Sequence, residues 1–136
     1  MATFKNTEEL NKVLLALWER IKSEPEISVP LLKAKISIAF IYREPESILT
    51  IDCSDSLEMK VYVGKTNFKP TVVMSMKSDL AHNFWYGKVN IPLAIISGKI
   101  VSRGPVNQAL ALLPVIKPAF NFYPDIYFAN KSEDSN

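Results

Sequence analysis

The sequence predicts an α+β fold with five strands, mostly antiparallel, and helices before and after them. Three observations carry this. Hydrophobic spacing changes from the helical to the strand period near Ala34. The four glycines, Gly64, Gly87, Gly98 and Gly104, stand singly where one element hands over to the next. The short segment Ile91 to Ile96 is apolar almost all round, so it must be enclosed on more than one side or border a cavity. A chain of 136 residues, 48% of them hydrophobic, can bury one core and has little length for a second.

The first element is a helix from about Thr7 to Lys22, in which Leu10, Val13, Leu14, Leu17, Trp18 and Ile21 form one stripe. Asn6, with Glu9 three residues on, can cap its start, and Ser23-Glu24-Pro25 ends it. Glu26 to Pro30 reads as a connector. Ile36, Ile38, Phe40 and Tyr42 then alternate with smaller residues along a first strand. A turn at Arg43-Glu44-Pro45-Glu46 leads to a second strand through Ile48 and Cys53, and a third runs from Leu57 to Val63, completing an antiparallel meander. A loop over 64–70 precedes a fourth strand, Thr71 to Met76, with Val72, Met74 and Met76 on one face.

Ser78 is the expected N-cap of a helix ending at Trp85 or Tyr86, where Gly87 stops it. Asn90 caps the next, short helix, which tolerates Pro92 in its first turn. A fifth strand, Lys99 to Arg103, and a last helix from Val106 to Leu113 follow. The stretch from Val115 to Pro124 is too proline-broken for a long helix and too apolar for a free tail, so it should pack back on the domain. This gives a domain over 1–128 and a polar tail, 129–136, expected to be disordered.

The run Trp85-Tyr86-Gly87, the apolar helix Asn90 to Ile96, the strand entry Ser97-Gly98-Lys99-Ile100 and the exit Arg103-Gly104 resemble the closing half of the sterol carrier protein-2 family. The order of elements is similar from Thr7 to Phe122, a resemblance that implies helices covering one face of the five-stranded sheet with an apolar cavity between the layers. The resemblance implies a non-catalytic, intracellular lipid-binding or transfer protein without a cofactor, holding a fatty acid, fatty acyl-coenzyme A or sterol-like ligand in an apolar tunnel. The lining expected from it comprises Phe40 on the first strand, Met74 and Met76 on the fourth, and Phe84 and Trp85 at the end of the central helix. Ile91 and Ile95 on the short helix, Val101 on the fifth strand, and Leu110 and Leu113 on the last helix complete it, with Phe120 and Phe122 closing the mouth. The alternative is the same fold with a filled cavity, docking on a partner protein or forming a homo-oligomer through Phe120 to Phe128.

Charge is biased. Between Lys60 and Pro124 eight basic residues face the lone acid Asp79, although the net charge is only +2. These lysines could draw a headgroup, with Lys88, Lys99 and Arg103 as candidates, or an anionic membrane surface or partner enzyme; equally, they could simply solubilise strand ends. Nucleic-acid binding lacks a basic run interleaved with aromatics. One histidine, His82, and one cysteine, Cys53, leave no pair of either for zinc, and no serine stands in a nucleophile elbow. No apolar run reaches the roughly 20 residues of a membrane span, and the opening residues lack a secretory pattern, so a cytoplasmic location is expected.

Overall fold

The computed structural model describes residues 3–131. Helix α1, Thr7–Lys22, begins as its sequence requires: the Asn6 side chain accepts from the Glu9 amide at 2.9 Å, while the Glu9 carboxylate accepts from the Lys5 amide at 3.0 Å. Each satisfies an amide that a helix start leaves without a partner. The predicted stripe is fully buried. The hydroxyl of Thr7 donates to the carbonyl of Glu46, and Ser47 bonds Asn11, so the helix is tied to the first hairpin turn.

Residues 26–30 are not a connector. Pro25 occupies the first turn of α2, Pro25–Ala34, where its missing amide hydrogen costs nothing and its fixed φ suits the helix. Ile27 and Leu31, four apart, bury one face, and that burial carries the helix past Pro30.

The sheet consists of β1 (Ser37–Arg43), β2 (Ser47–Asp52), β3 (Lys60–Val63), β4 (Val72–Lys77) and β5 (Val101–Arg103), in the order β3-β2-β1-β4-β5. Three pairings are antiparallel, and β1 with β4 is parallel. The first three strands form the expected meander; the chain then crosses to the far side of β1. β3 is shorter than its alternation suggests, because Leu57 lies in the preceding turn, exposed. Register sets the faces: Phe40 lies opposite Leu49 and Met74, so these three point inward together, while Ala39, Thr50 and Val73 share the other face.

Helix α3 spans Ser78–Trp85. Ser78 does not cap it. Its hydroxyl donates instead to the carbonyl of Pro45 at 2.7 Å, pinning the helix start to the β1–β2 turn. Helix α4, Ile91–Ile96, is capped by Asn90, whose side chain accepts from the Leu93 amide at 3.0 Å. Between β5 and the next helix, Gly104 adopts φ +89°, and a Cβ there would stand 2.2 Å from the Thr71 carbonyl oxygen, so only glycine fits.

In place of one last helix come three short pieces: α5 (Val106–Leu110), α6 (Leu113–Ile116) and a 3-10 turn, Lys117–Asn121. Pro114 and Pro118 each open one of the latter two, which accounts for the breaks. The chain ends in α7, Tyr123–Asn130, packed against α1. The stretch after Leu113 therefore does fold back, and Ala129 and Asn130, expected in the tail, are helical. The last part of the expected tail, 132–136, lies outside the described residues.

An aromatic cluster fastens α7 to α3. The Nδ1 of His82 lies 2.8 Å from the Tyr123 hydroxyl, and its ring packs 4.4 Å from Tyr127 and 5.7 Å from Phe4. Burial holds His82 below its ordinary pKa; Asp79 partly opposes this, and Lys88 adds to it. The unfolded chain therefore takes up the proton first. The contribution of neutral His82 is complete above the ordinary value of about 6.5 and is lost as pH falls through the lowered folded value. The gap in unfolding temperature between the native protein and His82→Gln should accordingly shrink as pH is lowered from neutrality. A gap independent of pH would show that the ring does not titrate against its burial.

Candidate functional site

Between the inner face of the sheet and the helices lies a cavity of about 80 Å³. Its floor is Ile36, Ile38 and Phe40 of the first strand region, Ile51 of β2 with Cys53 just after it, and Met74 and Met76 of β4. Trp18 of α1 and Trp85 of α3 meet edge to face at 5.8 Å along one wall. Leu31 of α2 and Ile91 of α4 border it, and the roof is Ala109, Leu110, Leu112, Leu113 and Ile116. Apart from the Cys53 thiol and the Trp indole nitrogens, no lining side chain carries a polar atom. Such a space offers few hydrogen bonds to hold water or a polar substrate.

Eight side chains picked out from sequence are brought together here: Phe40, Met74, Met76, Phe84, Trp85, Ile91, Leu110 and Leu113. Four are not. Val101 pairs with Ser75, which points to the opposite face, so Val101 lies outside and is 57% exposed. Its neighbour Ile100 takes the inward position, a displacement of one residue that a period of two turns into the wrong face. Ile95 packs half-buried beside the wall, because α4 turns Ile91 and Ala94 inward. Phe120 stands behind the wall, edge-on to Phe84 at 5.4 Å. Phe122 is drawn to α1, with the Arg20 guanidinium 4.5 Å above its ring. Neither phenylalanine is among the residues that line the cavity.

Trp18 of the α1 stripe and Ile36, Ile38, Ile51 and Cys53 line the cavity as well, without standing among the residues expected there. The strand alternation that selected Phe40 contained their signal. Leu31 was hidden by the unrecognised α2. Among the headgroup candidates, Lys88 and Lys99 border one surface groove, whereas Arg103 lies on the outer sheet face.

The cavity is smaller than the roughly 300–1,000 Å³ of typical ligand sites. The difference lies in the roof. Of residues 106–121 only Ala109 and Ala119 are fully buried, and neither α5, α6 nor the 3-10 turn has a side-chain cap. Among the described residues no group of His, Cys, Asp and Glu could hold a metal ion, and no helix is long and apolar enough to cross a membrane.

No family model and no curated protein matches the sequence. Solved structures do match. The sterol carrier protein domain 2 of Helicoverpa armigera superposes with a TM-score of 0.66 at 20% identity, covering 87% of this chain and 94% of that one. Sterol carrier protein 2 of Yarrowia lipolytica, in its apo form, gives 0.58 at 19%, covering 89% and 96%. UbiJ-SCP2, a ubiquinone synthesis protein, gives 0.50 at 10%, covering 82% and 85%. The chain has the sterol carrier protein-2 fold.

Cys53 reports on the cavity wall. Burial, together with the negative charges of Asp52 and Asp55, pushes its thiol up to about 11, so the thiolate that reacts is scarce and enclosed. A charged thiol reagent should label the native protein far more slowly than the urea-unfolded chain at the same pH. Equal rates would mean that the wall is open to water.

Proposed function

We propose that the protein is a non-catalytic carrier that binds an apolar, chain-like lipid, such as a fatty acid, fatty acyl-coenzyme A or sterol, between the sheet and its roof. The enclosed, almost wholly apolar void carries this reading. An unfilled cavity of this size costs on the order of 2 kcal/mol at about 24 cal/mol per Å³, a cost that a guest relieves. Each methylene moved from water into such surroundings is worth about 0.8 kcal/mol, so affinity needs volume rather than special chemistry. The guest is larger than the void. Admitting it requires the roof over 106–121 to lift from the sheet, leaving α1 and the strands in place.

The fold's other occurrences as sterol carrier proteins support the reading, and a single free cysteine suits a reducing compartment such as the cytoplasm. A second reading is favoured by the small volume itself: a module whose interior is nearly filled by side chains and which acts by docking on a partner protein.

Native mass spectrometry and displacement of a fluorescent fatty acid separate the two. The carrier should retain a small apolar adduct or bind the probe saturably. Ala109→Phe, which places a ring in the cavity, should weaken probe binding roughly tenfold or more, a factor of ten being about 1.4 kcal/mol. No adduct and no saturable binding by the native protein would favour the filled module.

A further inference from the structure

On the sheet face turned away from the cavity, one row of paired positions runs across all five strands. Register sets Arg103 of β5 opposite Val73, Val73 opposite Ala39, Ala39 opposite Thr50, and Thr50 opposite Tyr62. The row has a cation at one end, an aromatic ring at the other and short side chains between. The segment joining β3 to β4 must pass β2 and β1, and it crosses on this face: Thr66, Phe68 and Pro70 border the same groove as Ala39, Thr50 and Val73. Phe68 stacks on Tyr62, with ring centroids 6.2 Å apart and planes 26° from parallel, which fixes the crossing segment at its β3 end. The groove between segment and sheet measures about 600 Å³, within the roughly 300–1,000 Å³ of small-molecule sites. The interior cavity is far smaller.

We infer that this groove is a binding site for a flat-ringed organic acid, with the ring between the sheet and Phe68 and the carboxylate on the Arg103 guanidinium. Lys65 and Arg103 both border the groove and no carboxylate does; among the described residues neither is held in an ion pair. Two exposed cations without a carboxylate call for an anion. A guanidinium meets a carboxylate through two parallel hydrogen bonds, a match of shape as well as charge. The floor selects the body of the ligand. Ala39 and Thr50 are short and buried, whereas Ile41 and Ile48 beside them are larger and only half-buried, so the depression is shallow and suits a thin ring. From Ala39 on β1 to Arg103 on β5 is two strand spacings, about 10 Å, the length of a two-ring acid. A protein partner fits less well, since a stable interface takes some 20–30 residues a side and eleven border this groove. Ala39 and Ile41 face the groove while Phe40 between them faces the cavity, so the two sites lie back to back. The inference goes beyond the carrier reading and stands without it.

Amide NMR titration with naphthoate as the probe tests this. The native protein should bind it saturably, with shifts over 65–70 and at Ala39 and Thr50, and should bind naphthyl methanol, which lacks the charge, roughly tenfold or more weakly. Arg103→Gln, at an exposed position, should weaken naphthoate binding by a similar factor. Arg43→Gln removes an exposed cation from the same face outside the groove and should change nothing. The site is overturned if naphthoate gives no saturable shifts, if the alcohol binds as well as the acid, or if Arg103→Gln binds like the native protein. Saturable binding of an acidic peptide in place of naphthoate would give the groove to a protein partner and overturn it equally. Ala109→Phe keeps the two sites apart. It should spare naphthoate binding while weakening that of the fluorescent fatty acid; naphthoate shifts confined to Trp85 and Leu110, and lost in this variant, would put the ring in the cavity and overturn the outer site.

Discussion

One apolar sheet face is covered by two unlike sets of helices, and the contrast between them governs the rest of the molecule. On one side α1 lays down four unbroken turns, capped at its start and buried along a full stripe. On the other, residues 106–121 cover the same layer with pieces of four or five residues, none of them capped by a side chain. A long helix interdigitates with the sheet along its length; short ones set at successive breaks cannot follow it as closely. The cavity lies where the second kind of cover begins. Prolines therefore decide where the interior is left incomplete.

Helix α7 is held by specific contacts. Tyr123 is fully buried, and Tyr127 donates from its hydroxyl to the Thr3 carbonyl at 2.6 Å, so α7 is fixed to both α3 and the N-terminal segment. Gly87 lets the chain pass close to Phe120, which lies 3.1 Å from where a Cβ would be. The roof is thus anchored at its C-terminal end by an aromatic cluster and at its start by the tight Gly104 turn. Between these anchors it is made of short pieces without side-chain caps.

Much of this was legible in the residues because it is written locally. The α1 stripe, the meander, the Asn90 cap and the inward methionines of β4 all follow from periodicities of 3.6 or 2 and from side chains that bond their own backbone. What was not legible depends on competition at a distance. Ser78 has the chemistry of a cap, yet its hydroxyl goes to Pro45, 33 residues away. Pro25 is at once a terminator of α1 and the opening of α2, and only the burial of Ile27 and Leu31 shows the second role. Val101 and Ile100 differ by one position, and which one faces inward is fixed by the pairing of β5 with β4. The size of the cavity was least legible, since it depends on how closely three short helices approach the sheet.

Native-state hydrogen exchange, resolved to individual amides, tests the central claim most directly, because the claim is that the roof opens while the rest stays folded. Amides over 106–121 should exchange much faster than those in the middle of α1, through local opening rather than global unfolding, and a bound fatty acid should slow them selectively. Exchange of the roof at the same rate as α1, unchanged by any apolar ligand, would contradict the account.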